Sequence, residues 1–172
     1  MSKIIVFAKE GFEGRRSEFN SNVHDLEEVG FNKVILSIKV IGTPWVAYYE
    51  KNYTGRQRLF EEGEYPILED KAMFSSLKIV NDDLSDPEIE LFEHVQYQGR
   101  KVTLRSETNL QEISFSDTAS SHIVKGGVWV LYAAINRQGY QLITFPGDKI
   151  PSYLPIHFND EVTWLRPLVP KP

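Results

Sequence analysis

Short apolar runs, each ending near a glycine, a proline or an acidic turn, recur along the whole chain. They are rich in β-branched and aromatic residues, which is typical of strands in a packed sheet. The predicted strands are 3–8, 34–40, 45–49, 75–80, 89–95, 120–124 and 128–132. Helical periodicity is weak, and only 25–29, which ends at Gly30, favours a helical turn inside a long loop. The pattern therefore predicts an all-β protein, a sandwich rather than an open sheet.

A fixed spacing of aromatic residues and glycine repeats four times. Each copy has a first ring, a second ring five residues later and a glycine two residues after that. The copies are Phe7, Phe12, Gly14; Tyr48, Tyr53, Gly55; Phe92, Tyr97, Gly99; and Tyr132, Arg137, Gly139. The last copy departs from the pattern, because Arg137 stands where the others have a ring. A repeat that persists in register indicates that one supersecondary unit is used four times.

The copies are joined in pairs by a longer period. Trp45 and Tyr48 in the first half correspond to Trp129 and Tyr132 in the second. By length alone, 172 residues fit one large domain or two smaller ones. The duplication favours two, and the acidic, turn-rich segment around Pro87 is the predicted linker. We therefore expect domains at 1–82 and 88–172, with a linker at 83–87.

Composition excludes several classes of protein. The net charge is −5 and the longest basic run is Arg15-Arg16, so we expect no nucleic-acid groove. Cysteine is absent, which excludes disulfides, thiolate metal sites and a cysteine nucleophile. The apolar stretch at the N-terminus is too short for a signal peptide, and no run approaches the roughly 20 residues of a membrane span. We expect a cytoplasmic location and no transmembrane segment.

The repeat resembles the motif of the βγ-crystallin superfamily, in which the two aromatics and the glycine are followed later by a serine. Ser37, Ser76 and Ser121 match that serine, and Trp164 replaces it in the fourth copy. The resemblance implies two Greek-key β-sandwich domains. In each motif it implies a folded hairpin held by the serine, so the fourth hairpin should be held differently. Within the superfamily, the chain is most similar to non-lens members, the amphibian epidermis differentiation-specific and frog-skin crystallin-like proteins.

The resemblance also implies calcium-binding loops. The family's sequence is two Asn or Asp residues, two variable residues, Ser or Thr, and Ser. In the third and fourth copies the matching loops are 116–121 and 159–164. The implied side-chain ligands are Asp117, Ser120, Asn159, Asp160 and Thr163. Hairpin carbonyls near Glu93 and Ala134 would complete the coordination.

The corresponding loops of the first half, 32–37 and 71–76, lack such ligands. Lys33 stands at an Asn/Asp position in one of them, and Lys71 and Ala72 stand at both in the other. Ammonium and methyl groups cannot ligate Ca²⁺, which needs oxygen donors. Weak Ca²⁺ binding is therefore predicted in the C-terminal domain alone. The alternative is that all four loops are ordinary polar turns.

Catalysis finds little support in the sequence. His24, His94, His122 and His157 have no metal-ligand spacing, so we interpret them as surface or structural residues. No Gly-x-Ser-x-Gly elbow is present, and Gly126-Gly127 is interpreted as a hairpin turn before Trp129.

The predicted function is that of a non-enzymatic structural protein with weak Ca²⁺ binding. The alternative is an interaction module that recognises a partner protein, a lipid surface or a glycan as the crystallin part of a membrane-active complex. Self-association and a partner protein both stay open.

Overall fold

The computed structural model describes residues 2–156, 158 and 161–170. The chain divides into two compact units, Met1–Asn81 and Asp82–Pro172, and the predicted linker 83–87 lies at the start of the second. Within these residues, regular structure is almost entirely β, with three short 3₁₀ turns. Among the described residues, no helix is long and apolar enough to cross a membrane.

The first unit is built from two antiparallel sheets that exchange strands between repeats. Its strands are β1 (Lys3–Lys9), β2 (Glu13–Phe19), β3 (Ser37–Ile41), β4 (Trp45–Glu50), β5 (Thr54–Phe60), β6 (Gly63–Tyr65) and β7 (Ser76–Ile79). One sheet has the order β2-β1-β3-β6, and in the other β4 lies between β5 and β7. Strand β6 comes from the second repeat yet pairs with β3 of the first. In return, a bridge from Val23 to Leu77 joins the first repeat to the second sheet.

The second unit repeats this arrangement. Its strands are β8 (Glu88–His94), β9 (Gln98–Leu104), β10 (Thr108–Asn109), β11 (Ser121–Gly126), β12 (Trp129–Ala134), β13 (Gln138–Thr144), β14 (Lys149–Ile150) and β15 (Trp164–Pro167). One sheet has the order β9-β8-β11-β14 and the other the order β10-β15-β12-β13. The third strand of each repeat thus pairs in the sheet of its neighbour, which is the Greek-key connection. The prediction of two Greek-key sandwiches is confirmed.

Each unit has its own apolar core, with a tryptophan at the start of one central strand. Trp45 and Trp129 are fully buried, at 0% exposure, in separate clusters of aliphatic and aromatic side chains. Burying a large aromatic side chain contributes strongly to the stability of a small domain. Trp45 and Trp129 are therefore core residues of their units.

Two of the local predictions need correction. Strand β3 begins at Ser37 and not at residue 34, because the preceding loop folds over the end of β1, where the Leu36 amide bonds to the Phe7 carbonyl at 2.8 Å. Gly126-Gly127 does not close a hairpin. Strand β11 pairs with β8 and β14, whereas β12 pairs with β13 and β15, so the two glycines carry the chain from one sheet to the other.

The predicted helical turn is confirmed as a 3₁₀ turn, Leu26–Val29. The Asp25 carboxylate accepts a hydrogen bond from the Glu27 amide at 3.0 Å, which caps the turn at its start. Gly30 ends it in the left-handed conformation, with φ of 76°.

Candidate cation site

The hairpins of the first three repeats are each held by one buried serine. The Ser37 hydroxyl donates to the Lys9 carbonyl at 2.6 Å and accepts from the Phe12 amide at 3.0 Å. Ser76 makes the same two bonds with the second hairpin, and Ser121 with the third. All three serines are fully buried, so each hydroxyl satisfies a donor and an acceptor that would otherwise lack a partner. The role that the resemblance implied for these serines is confirmed.

The two rings of each hairpin meet edge to face above this bond. The centroid distances are 5.6 Å for Phe7 and Phe12, 5.8 Å for Tyr48 and Tyr53, and 5.7 Å for Phe92 and Tyr97. In each pair the first ring is buried and the second is half-buried. The second ring therefore covers the first, and edge-to-face contact is the favourable geometry for such a pair.

The fourth hairpin is held by an ionic cluster instead. Glu107 accepts two hydrogen bonds from the Arg137 guanidinium, at 2.7 and 2.8 Å. Its Oε2 also accepts from the Trp164 indole at 2.8 Å. The pKa of Glu107 is lowered to about 2, mainly by the hydrogen bonds from Arg137 and to a smaller extent by that from Trp164. Arg137 and Trp164, the two departures from the repeat, are thus joined through one carboxylate that the repeat pattern did not reveal.

We expect Glu107→Gln to weaken the fourth hairpin. The neutral amide cannot accept two charge-assisted bonds from the guanidinium, and for a partly exposed pair the expected loss in unfolding free energy is about 1 kcal/mol. Denaturant unfolding of the full chain measures it, and the Trp164 indole N–H resonance should shift. Glu88→Gln, which removes a single 3.1 Å contact with Arg105, is the matched control. Equal effects of the two substitutions would contradict the role of the cluster.

The candidate cation site lies where the third loop meets the fourth. The Asp117 amide donates to the Val162 carbonyl at 3.2 Å, which places Asp117 next to the segment that leads into β15. Thr163 follows Val162 in that segment. Its hydroxyl lies 3.1 Å from the Ala133 carbonyl oxygen and 3.2 Å from that of Glu161. Two carbonyls and a hydroxyl are therefore gathered at one point, next to a loop that carries an acid.

The other predicted ligands are placed less completely. The Ser120 amide donates to the Phe92 carbonyl at 2.9 Å, and its hydroxyl lies 3.4 Å from the Thr118 carbonyl. The Glu93 carboxylate accepts from the Arg100 amide at 3.3 Å and lies 3.6 Å from the His94 ring. Asn159 and Asp160 lie outside the described residues. The structure thus brings Asp117 and Thr163 to neighbouring positions, and the predicted roles of Ser120, Asn159 and Asp160 as ligands stay predictions.

The carbonyl that faces Thr163 belongs to Ala133, next to Ala134, near which a hairpin carbonyl was expected. Ala133 lies at the bulge between Tyr132 and Ala134 in the β12–β13 hairpin. The carbonyl contribution of Glu161 was missed. Repeat spacing reports side chains, and it carries no signal for a backbone oxygen.

The chemistry of this set fits a hard cation. Carboxylate, hydroxyl and carbonyl oxygens are the donors that Ca²⁺ takes, whereas Zn²⁺ prefers nitrogen and sulfur. The Ser116 hydroxyl, directly before Asp117, is buried and lacks a hydrogen-bond partner among the described atoms. In the described part of the chain, no three or more His, Asp or Glu side chains are grouped so that they could hold a metal ion together. A site with so few charged ligands suits weak binding of Ca²⁺.

The paired Greek-key repeats, their folded hairpins and the polar loops beside them define a class of duplicated β-sandwich proteins. The chain belongs to the beta/gamma crystallin family, whose model matches residues 3–80 and 88–168.

The chain is similar to several proteins of this family. It is 39% identical to epidermal differentiation-specific protein of Cynops pyrrhogaster over 98% of this chain and 50% of that protein. It is 33% identical to human β-crystallin B1 over 85% of this chain and 61% of that protein. A solution structure of protein S complexed with calcium is 23% identical, with a TM-score of 0.42, over 98% of this chain and 100% of that one. The chain thus spans about half the length of the newt protein.

Proposed function

We propose that this chain is a non-enzymatic structural protein whose second unit binds Ca²⁺ weakly at Asp117 and Thr163. The structural part of the proposal rests on membership of the crystallin family and on the two packed cores. The histidines are placed as the sequence predicted for surface or structural residues. His24 and His94 are exposed and His122 is fully buried, whereas His157 lies outside the described residues.

One observation carries the Ca²⁺ proposal. The Thr163 hydroxyl holds together the Ala133 and Glu161 carbonyls, and the loop that bonds to this segment supplies the carboxylate of Asp117. When bound, Ca²⁺ would link two loops that are distant in sequence. The Thr163 hydroxyl would turn its proton away and offer a lone pair. Binding to the folded state alone raises stability, so Ca²⁺ serves here as a stabilising cross-link.

A Ca²⁺ titration of the full chain, followed by residue-resolved NMR, tests this function. We expect shifts at 116–121 and 161–164 and none at 32–37. A Kd on the order of 10⁻⁴ to 10⁻³ M is expected for so few charged ligands. At ten times Kd, the second unit should gain about 1.4 kcal/mol of unfolding free energy.

Asp117→Ala should abolish the shifts at this site, and Asp82→Ala, which removes an exposed acid from the same unit, should leave them unchanged. Asp160→Ala tests the predicted contribution of the loop 159–164, which also carries Asn159, in the same way. Equal shifts in both units would contradict the assignment. The absence of shifts at millimolar Ca²⁺ would favour ordinary polar turns.

The second candidate is an interaction module. It is favoured by the fact that the chain corresponds to 50% of the newt relative and to 8% of human beta/gamma crystallin domain-containing protein 1, so a pair of such units occurs within longer proteins. Such a pair would recognise a partner protein, a lipid surface or a glycan. Binding of the purified chain to anionic vesicles or to a glycan array, at fixed Ca²⁺, would support this candidate over the purely structural one.

A further inference from the structure

Two loops, one in each unit, occupy equivalent places in the hydrogen-bond network. The Lys33 amide donates to the Phe74 carbonyl at 2.9 Å, as the Asp117 amide does to Val162 at 3.2 Å. Both residues have φ of 54°, in the left-handed region. Lys33 and Asp117 therefore stand at the same position of the repeated fold, with the same backbone conformation.

The residues opposite them correspond in the same way. The Ser75 amide donates to the Tyr48 carbonyl at 2.7 Å, and the Thr163 amide donates to Tyr132 at 2.9 Å. The carbonyl of Tyr49, which follows Tyr48, therefore corresponds to that of Ala133, which follows Tyr132. The carbonyl of Met73, two residues before Ser75, corresponds to that of Glu161, two residues before Thr163.

This carbonyl pair meets different groups in the two units. In the first, the Lys33 ammonium donates to Tyr49 at 2.8 Å and to Met73 at 3.2 Å. In the second, the corresponding carbonyls share the hydroxyl of Thr163. The Tyr49 and Met73 carbonyls are therefore already bonded to a positively charged group, the side chain of Lys33.

The acceptor groups around Lys33 are held in place by the rest of the unit. The Tyr49 phenol donates to the Asp70 carboxylate at 2.7 Å, and Asp70, only 6% exposed, is also bound by Arg58. The side-chain oxygen of Asn32, directly before Lys33, is buried without a hydrogen-bond partner among the described atoms. The site is thus rich in oxygen acceptors, and the Lys33 ammonium is the cationic group bonded to two of them.

We propose that the Lys33 ammonium acts as an internal cation that fills the loop–hairpin site of the first unit and closes it to divalent metals. Lys33 is then the residue that decides which unit takes a cation. A metal ion could enter only by displacing a group of like charge from both carbonyls. This role of Lys33 rests on the proposed function for its comparison with the second unit, but it is tested with residues of the first unit alone.

Two substitutions at position 33 in the full chain test this role. Lys33→Gln removes the charge and supplies no carboxylate, so the first unit should lose thermal stability, by about 4 °C, and Ca²⁺ should not restore it. Lys33→Asp supplies a carboxylate to the same carbonyl pair, and Asp tolerates a positive φ, as Asp117 shows. This variant should be less stable without Ca²⁺ and should regain the loss at millimolar Ca²⁺.

Residue-resolved NMR of the first unit is the readout, with Ca²⁺-induced shifts at 32–37 and 73–75 expected only for Lys33→Asp. Lys71→Gln, which removes an exposed lysine paired with Glu10, is the control for loss of charge and should change little. A Lys33→Asp chain that folds but shows no Ca²⁺ shifts would overturn the proposal, and so would wild-type stability in Lys33→Gln. Loss of Ca²⁺ binding at Asp117 would leave both expectations unchanged, so this test is separate from that of the second unit.

Discussion

Between pH 6.5 and about 4, the second unit should lose stability more steeply than the first, because it contains a histidine that is buried in its neutral form. His122 is fully buried in a chain of hydrogen bonds. Its Nδ1 lies 2.6 Å from the Tyr153 hydroxyl, and its Nε2 lies 3.0 Å from that of Thr144. Thr144 in turn donates to Asp148 at 3.0 Å. Since the Thr144 proton is committed to Asp148, His122 donates from Nε2 and accepts at Nδ1 from Tyr153.

The direction of the pH effect follows from the pKa of this imidazole. Burial lowers the pKa of His122 from 6.5 to about 3. Below pH 6.5, His122 therefore binds a proton in the unfolded chain but stays neutral in the folded chain. The stabilisation is complete above pH 6.5 and is lost as the pH falls towards 3. Over that whole interval the loss is on the order of 3–5 kcal/mol, and about half of it or more falls above pH 4.

Two measurements check this prediction. The His122 ring resonances should not titrate between pH 8 and 4. Denaturant unfolding of the full chain at pH 7 and pH 4, followed by cross-peaks from each unit, should show the larger loss in the second. His24→Gln should leave this difference unchanged, and His122→Gln, if folded, should reduce it. A His122 titration midpoint near 6.5 in the folded chain would contradict the prediction.

Gly99→Val should destabilise the second unit by about 1–3 kcal/mol, which is the scale of forcing a side chain into a sparsely populated backbone conformation. Gly99 has φ of +82°, and a β-branched residue is strongly disfavoured there. A Cβ on Gly99 would also lie 2.6 Å from Cδ2 of His94 and 3.1 Å from Cβ of Glu93. The exposed His94 ring can rotate away, but Glu93 Cβ moves only with its strand.

A comparison with a second glycine separates strain from crowding. Gly147 has φ of +87°, and a Cβ there would meet nothing within 4 Å. Gly147→Val should therefore show the cost of the backbone conformation alone, and Gly99→Val should exceed it. Both free energies can be read from denaturant unfolding of the full chain. If Gly99→Val unfolded like the wild type, the repeat glycine would be an ordinary loop residue and the argument from the hairpin would be wrong.

The strands that could be predicted from sequence are those whose apolar residues are buried. Strands β1, β4, β8 and β12 start each repeat with runs of buried side chains, and all four were predicted within two residues. The second strand of each hairpin was not in the predicted set. In β2 and β9, which lie at the edges of their sheets, most residues are exposed or half-buried, so the alternation that marks a strand is faint. Only the hairpin geometry implied by the repeat pointed to them.

The sequence by itself determined the fourfold repeat, the duplication around Trp45 and Trp129, and the serines that hold three hairpins. Each of these depends on one residue type at a fixed spacing, and that is information a sequence carries directly. Tertiary structure alone decided that Ala133 and Glu161 offer their carbonyls to Thr163, because any residue type can supply a backbone oxygen.

Tertiary structure also decided the roles of two charged residues. In the sequence, Lys33 shows only that a ligand position of the repeat is lost. Its ammonium donates to the Tyr49 and Met73 carbonyls because the fold brings the first loop against the second hairpin. Glu107 has no place in the repeat, yet it joins Arg137 to Trp164, 57 residues away from Glu107 along the chain. The physical reason is the same in both cases. The Greek-key connection places segments of different repeats side by side, and contacts between them follow from the folded chain and not from local spacing.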